Sequence, residues 1–256
     1  MIRSLYTAVS GMIAMENKQN TVTNNMANAN TTGYKRETLM TKSFKDVLIQ
    51  NKDKIVGDSN VTQKLGKLSL GVAIDGVNTA YTQGDIKKTD NIGDFAIDGR
   101  GFFAVQTADG VKYTRDGQFR VNNNGNLVNN SGDLVLGINS ATGAMQPINV
   151  GKGDYNIDDY NNIYVNGVTS QKLAIADFQD YSQLKKAGDN YYTGENPINA
   201  TNALVRQGAL ETSNVNIMNE MVDMISTMRS FETNQKFITM IDESLGKAAN
   251  EVGSVK

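Results

Sequence analysis

The chain has 256 residues and a formal net charge of −2, with 25 basic and 27 acidic side chains. Such a balance lacks the clustered basic face that nucleic-acid binding needs, so we expect no nucleic-acid partner. The sequence contains no cysteine and no histidine, which excludes disulfides, thiolate metal sites and histidine-based catalysis. We therefore expect no enzyme activity, no cofactor and no metal site.

The first predicted element is a helix over about residues 2–28, within an N-terminal assembly segment 1–33. Its apolar residues alternate at steps of three and four, which is typical of a helix that buries one stripe against another helix. Asparagine and threonine near its end are poor helix formers, so we expect it to need a partner. The predicted seam consists of Leu5, Ala8, Met12, Met15, Gln19, Val22, Met26 and Ala29.

No apolar run of signal-peptide length precedes the polar residues 16–20. We therefore expect the N-terminus to stay uncleaved, and any export to use a route other than the general secretory one. No stretch approaches the length of a membrane span, so we expect a protein that does not cross the membrane. Residues 34–69 are polar and charged, and we interpret them as an extended arm or linker.

The pattern changes near residue 70 to short runs of β-forming residues separated by turn pairs. Asp109-Gly110, Asp116-Gly117 and Asn124-Gly125 are strong hairpin signals between such runs. Residues 70–190 are therefore predicted to form an all-β domain of about eight to twelve short strands, arranged as a barrel or sandwich. We interpret residues 191–212 as a polar return linker.

The last predicted element is a C-terminal assembly helix within residues 213–256, capped by Asn214 or Asn216. It repeats the alternation of three and four, and this predicts α+β architecture: a discontinuous coiled-coil domain of both terminal helices with the all-β domain inserted between them. Its predicted seam consists of Ile217, Met221, Met224, Met228, Phe231, Gln235, Ile238, Asp242, Leu245 and Ala249.

Three patterns suggest chemistry but have simpler interpretations. Asp154, Asn156 and Asp158 imitate the start of a calcium loop, but Asp159 stands where glycine is needed and Val165 where the bidentate glutamate is needed. A turn between strands is the favoured interpretation. The pairs Asp158/Asp159 and Asp94/Asp98 could flank a glycosidic bond, and Gly99-Arg100-Gly101 could bind phosphate. Solvated turns are the simpler interpretation of both patterns.

Motifs at both ends and in the middle resemble bacterial flagellar basal-body rod and hook proteins. The N-terminal match runs over residues 24–36 after Ser10-Gly11, and the C-terminal match covers 208–216, 221–225 and 229–236. Residues 98–105 and 113–117 resemble the β-domain of the rod members. The motif residues singled out by this resemblance are Asn24, Asn25, Ala27, Asn28, Thr32, Gly33, Tyr34, Ser213, Asn214 and Val215.

The resemblance implies a structural subunit of the rod, which polymerises through its terminal helices into a helical tube and transmits torque from motor to hook. It implies as partners copies of itself, neighbouring rod and hook subunits, and the type III export apparatus. The length fits the rod proteins below the hook, most like the distal rod protein, with the proximal one as the sister possibility. The alternatives left open are a secreted carbohydrate-acting enzyme and an adhesin-like filament subunit.

Overall fold

The structure, a computed structural model, describes residues 2–252 except 57, 58, 140–142, 152, 154, 159, 166, 189, 201 and 202. The chain divides into two units. The first, which we call the helical unit, comprises Met1–Met26, Glu37–Thr79 and Ile217–Lys256. The second, which we call the β unit, comprises Ala27–Arg36 and Ala80–Asn216.

The helical unit contains a helix from each end of the chain. Helix α1 covers Ile2–Ala27, and α2 covers Ile217–Lys247 with a π-helical turn over Ala248–Val252. Both predicted helices are present, and α1 ends one residue before the predicted end. Among the described residues, neither helix has a segment long and apolar enough to cross a membrane.

Four strands complete the helical unit. They are β1 (Glu37–Ser43), β2 (Val47–Val56), β3 (Ser59–Leu68) and β4 (Val72–Thr79).

Strands β1 and β4 pair antiparallel, and β2 and β3 form a long hairpin with two register shifts. The segment predicted as an arm or linker, residues 34–69, is therefore largely paired strand. Its side chains over 62–68 are all exposed, so the hairpin has no alternating apolar face in this stretch for a sequence pattern to show.

The β unit holds seventeen strands in its described residues. They are β5 (Ile86–Lys88), β6 (Phe95–Asp98), β7 (Phe102–Thr107), β8 (Gly110–Thr114), β9 (Arg120–Val121), β10 (Leu127–Val128), β11 (Leu134–Ile138), β12 (Met145–Pro147), β13 (Tyr155–Ile157), β14 (Asn162–Val165), β15 (Val168–Leu173), β16 (Ile175–Asp177), β17 (Lys185–Lys186), β18 (Tyr191–Thr193), β19 (Ile198–Asn199), β20 (Leu204–Gln207) and β21 (Ala209–Glu211).

The largest sheet of this unit is built around β7. Its main path runs β13-β14-β15-β11-β7-β8-β18-β17, with antiparallel pairing throughout. Neighbouring residues of a strand point to opposite faces of a sheet. Phe103 and Val105 pack in one apolar cluster, while Phe102 and Ala104 pack in the other. Strand β7 is thus covered on both faces, which explains its uninterrupted apolar sequence.

The predicted boundaries of the β-domain need two corrections. Residues 72–79, predicted within it, pair with β1 in the helical unit. Residues 191–212, predicted as a return linker, carry four strands that pair inside the β unit, including β20 with β6 and β21 with β5. These strands are two to four residues long, which is too short for a periodic signal to separate them from a polar loop.

Candidate assembly interface

Within the helical unit, α1 and α2 lie side by side in opposite directions. The side-chain amide of Asn25, near the end of α1, donates to the carboxylate of Glu220 in the first turn of α2, at 3.1 Å. At the other end, a methyl group added to Gly11 would stand 3.5 Å from the side-chain nitrogen of Asn234. Residues with higher numbers in α1 therefore face residues with lower numbers in α2, so the two helices are antiparallel.

The predicted seam of α1 lies on its covered side. Ala8 and Val22 are buried, and the other seam residues are half-buried in this single chain. These half-buried residues are Leu5, Met12, Met15, Gln19, Met26 and Ala29.

The predicted seam of α2 lies partly on its covered side and partly on its exposed side. Met224, Phe231, Ile238 and Leu245 are half-buried. The other predicted seam positions, which alternate with these four, are exposed. They are Ile217, Met221, Met228, Gln235, Asp242 and Ala249.

The covered side of α2 also carries polar residues, and these include its two most buried side chains. Glu220 and Thr227 are 0% and 2% exposed, and Asn234 is half-buried. The covered side of α2 is therefore rotated about the helix axis by about one residue from its most apolar side. The sequence could not show this, because a periodic pattern reports where apolar residues lie and not which side another helix covers.

Each helix also carries apolar residues on the side that faces outward from the pair. On α1 these exposed apolar residues are Tyr6, Val9 and Ile13. We call these three residues the outer stripe of α1. The outer stripe of α2 is defined as Ile217, Met218, Met221, Val222, Ile225 and Met228. Met218 is 75% exposed and Val222 is 66% exposed, which is unusual for contiguous apolar residues on a soluble helix.

A groove runs between the two helices beside these stripes. Its volume is about 390 Å³, and its walls come from both helices. Met15, Met228 and Phe231 supply its apolar lining, and Glu16 and Glu232 stand at its edges as acidic groups. The groove joins the outer stripe of α2 at Met228, so apolar surface is continuous from the stripe into the groove.

The β unit contains a buried cluster of charges formed by Lys35, Arg115 and Glu211. Their side chains are 1%, 4% and 0% exposed. Glu211 accepts from the Lys35 ammonium at 2.5 Å and from the Arg115 guanidinium at 3.1 Å. Burial lowers the pKa of Lys35, although the carboxylate of Glu211 opposes this effect. We call these three residues the charge triad.

Backbone groups hold each member of the charge triad in place. The Lys35 ammonium donates to the Thr82 carbonyl at 2.8 Å, and the amide of Gly84 donates to Glu211 at 2.9 Å. Arg115 donates to the carbonyl of Gly99 at 2.7 Å. A buried ion pair of this kind needs hydrogen bonds to satisfy its remaining polar atoms; these bonds satisfy most of them, and the buried Nε of Arg115 is left without a partner in the part of the chain that the structure describes.

The motif residues before Lys35 secure the segment that follows α1. Thr32 donates from its hydroxyl to Asp116 at 2.6 Å, and Gly33 has a φ of 67° and presses against the backbone of Arg115. Tyr34 is buried, with the Lys186 ammonium 4.7 Å from its ring centre. Asn28 caps the turn by accepting from Thr31.

The motif residues before α2 secure the segment that leads into it. Asn214 accepts from the Arg36 amide at 2.7 Å and donates to the carbonyl of Ala80 at 2.8 Å. Asn214 is therefore committed to the backbone next to β1 and β4 and not to capping α2, as one of the two sequence alternatives had it. The Ser213 hydroxyl accepts from the amide of Val215 at 3.2 Å.

Three motif residues lie at the end of α1. Asn25 is buried between elements, whereas Asn24 and Ala27 lie on the exposed side of the helix.

The carboxylates considered for chemistry are engaged in local structure. Asp158 accepts from Tyr160, Asn162 and Tyr164 in the turn after β13. Desolvation would raise its pKa, but these hydrogen bonds together lower it. Asp154 and Asp159 lie outside the described residues.

The other carboxylate pair and the glycine-rich segment also have structural roles. Asp94 is buried and accepts from Thr89 and Asn91. Asp98 pairs with Arg206 at 2.6 Å. Arg100, between Gly99 and Gly101 in the turn joining β6 and β7, donates to Tyr181 and to the carbonyl of Phe178.

The chain thus has two paired terminal helices with exposed apolar stripes, and its β unit is largely inserted between them in the sequence. Family models match three parts of the chain: the flagella basal body rod protein over residues 5–35, the flagellar hook protein FlgE/F/G D1 domain over 96–169, and the flagellar basal body rod FlgEFG protein C-terminal over 206–251. Each match supplies one member of the charge triad.

Curated relatives match over nearly their whole length. The flagellar basal-body rod protein FlgG of Buchnera aphidicola subsp. Schizaphis graminum is 36% identical over 96% of this chain and 98% of its own. The hook-basal body complex protein FlhO of Bacillus subtilis is 31% identical, and the rod protein FlgF of Caulobacter vibrioides is 32% identical, each over the full length of both chains. The chain belongs to the flagellar basal-body rod protein family and is a structural protein, not an enzyme.

Proposed function

We propose that this chain polymerises through its terminal helices into the helical tube of the flagellar rod, which transmits torque from motor to hook. The observation that carries the proposal is that the helical unit exposes apolar stripes on both helices while it buries the polar residues Asn25 and Glu220 between them. A chain that acts alone gains nothing from exposing Met218 and Val222 while burying Glu220. Neighbouring copies would cover the stripes.

The energetics favour contact with several neighbours. Fully burying a side chain such as Ile225 is worth about 1.5–3 kcal/mol. Because Ile225 is already about half covered, a neighbour gains on the order of 1 kcal/mol from it. The six residues of the outer stripe of α2 together supply roughly 6 kcal/mol, which does no more than offset an association cost of about 4–15 kcal/mol. A tube, in which each subunit has several neighbours, adds such contacts together, and we expect them to pack as coiled-coil seams.

The remaining features of the proposal concern partners and place. The family supports a location in the flagellar basal body and contact with neighbouring rod and hook subunits. We further propose export through the flagellar type III apparatus without cleavage, as the resemblance to rod and hook proteins implies. Relatives named FlgG, including one from Bacillus subtilis that is 32% identical, support the distal rod over the proximal one.

The two alternatives find less support. A carbohydrate-acting enzyme needs a free pair of carboxylates, yet Asp94 and Asp98 are committed to local bonds. An adhesin needs a ligand site built into the β unit, and an adhesin function would not explain the apolar stripes on the helices.

Electron microscopy of the purified protein at high concentration tests the proposal. The unchanged chain should form tubes or stacked rings. Ile225→Asp places a charge in the outer stripe of α2 and should abolish them, while Ser244→Asp, an exposed polar position on the same helix, should leave them intact. Tubes formed equally well by the Ile225→Asp variant would exclude this stripe from assembly.

A further inference from the structure

Asn25 and Glu220 form a buried polar contact between α1 and α2, and two helices that pack only through apolar side chains would not need such a contact. Asn25 and Glu220 are 1% and 0% exposed, while apolar residues of the same helix pair such as Met218 and Val222 are 75% and 66% exposed. Their burial therefore needs a reason beyond stability, because a buried polar pair contributes little net stability compared with an apolar pair of similar size.

The side chain of Asn25 joins three elements at once. Its amide nitrogen donates to Glu220 of α2 at 3.1 Å and to the carbonyl of Glu37 in β1 at 2.8 Å. Its oxygen accepts from the Glu37 amide at 2.9 Å. Both ends of the Asn25 amide are thus used, and the position of α1 along β1 is set by two bonds to a single residue.

This geometry is sensitive to sliding of α2. A shift of one helical turn moves Glu220 by about 5.4 Å along the axis, so its carboxylate would lose Asn25 and would lie against apolar side chains. The methionines and isoleucines of α2 repeat at similar spacing and adapt to many neighbours, so they define the register poorly. A single buried polar residue at such a seam is known to specify register and partner.

We propose that Asn25 and Glu220 act as a register lock, which makes α1 pair with α2 of its own chain in one alignment. The lock keeps the outer stripes from replacing the intrachain contact and so leaves them available to other copies. This inference concerns pairing within one chain and stands whether or not the stripes build a rod.

Engineered disulfides test the register lock, since the chain has no native cysteine. Gly11→Cys with Asn234→Cys reports the observed alignment. Gly11→Cys with Ser230→Cys, or with Ile238→Cys, reports slippage by about one turn in either direction. In dilute full-length protein with an oxidant, the first pair should close at least tenfold faster than the other two, as followed by gel mobility and mass spectrometry.

Two substitutions at one position separate register from stability. Glu220→Leu removes the bond between the helices but leaves Asn25 its two bonds to Glu37, so the rates of the three cysteine pairs should converge and crosslinks between chains should increase. Glu220→Gln keeps an oxygen that accepts from Asn25 and should preserve the tenfold preference. An undiminished preference in the Leu variant would overturn the proposal. Loss of helical circular dichroism there would also overturn it, because the lock would then be a stability element.

Discussion

The two units of this protein distribute apolar and polar residues in opposite ways. In the β unit, Phe95, Phe103 and Val135 are completely buried, and its apolar side chains form two closed clusters. In the helical unit, Glu220 and Asn25 are buried while Met218 is mostly exposed. The β unit therefore buries its large apolar clusters within itself, whereas the helical unit leaves apolar side chains exposed, where we expect other chains to cover them.

The comparison explains why the family motifs lie where they do. The residues that follow α1 and those that precede α2 belong to the β unit, where Lys35 and Glu211 meet Arg115. These positions attach both helices by short connections to the self-sufficient part of the molecule. We therefore expect the β unit to stay folded when the packing of the helices is changed.

The largest expected effect comes from a substitution that removes one member of the charge triad. Glu211→Ala leaves Lys35 and Arg115 as neighbouring buried cations without a counter-charge, and we expect a loss of about 3–5 kcal/mol in the free energy of unfolding. Urea unfolding followed by tyrosine fluorescence measures it.

The matched control for the charge triad is Asp98→Ala, which removes the exposed ion pair with Arg206. This change should cost at most about 1 kcal/mol. Equal losses in the two variants would show that the buried triad has no special role.

A second pair of variants sharpens the contrast between the two sides of α2. Met224 is half-buried in the helix pair, and its neighbour Ile225 is exposed. Met224→Asp should weaken helix pairing by about 1–3 kcal/mol and lower the helical circular dichroism of dilute protein. Ile225→Asp should leave that signal unchanged and act on assembly alone.

The result for Met224 and Ile225 also separates two explanations of their sequence pattern. If both substitutions reduce helix content in dilute protein, the outer stripe of α2 already packs within a single chain. If neither does, the helices of the isolated chain do not depend on this pairing.

Sequence patterns predicted both helices and two of the three hairpin turns. The Asp116-Gly117 turn does not join a hairpin, because β8 pairs with β7 and β18 while β9 pairs with β10. The α1 helix ends at Ala27 because asparagine, threonine and glycine follow, and the Asp109-Gly110 turn joins β7 to β8 as predicted. They did not predict the hairpin of β2 and β3, whose exposed strands carry no buried face over 62–68. Backbone pairing of that kind leaves no periodic signal in side chains.

The contact between the three members of the charge triad could not be predicted from the sequence either. Lys35 and Glu211 are 176 positions apart, and Arg115 and Glu211 are 96 apart. Nothing in their local surroundings distinguishes them from surface charges, which are the usual fate of lysine and glutamate. The orientation of α2 escaped prediction for a different reason: its most apolar side faces away from its partner in the same chain.

The smallest expected effect compares two aspartates of the β unit whose pKa values shift in opposite directions. Desolvation raises the pKa of Asp116, against hydrogen bonds from Thr32 and Gln118. The folded chain therefore keeps this proton at pH values where the unfolded chain has lost it, so the free energy of unfolding falls as pH rises through that window. The lowered pKa of Asp158 has the opposite consequence, because its contribution is present above the unfolded pKa and is lost as the pH falls.

Asparagine substitutions at the two positions should therefore change the acid limb of stability in opposite ways. Asp116→Asn retains an oxygen for Thr32 and should raise stability at neutral pH by about 0.5 kcal/mol, the scale of an ordinary surface substitution. It should also steepen the net loss of stability on acidification, since a compensating gain is removed. Asp158→Asn should make that loss shallower. Urea unfolding at a series of pH values below neutrality measures both slopes. Parallel curves for the two variants would mean that the fold shifts the pKa of neither carboxylate. The β unit would then show no effect of its fold on these two charges.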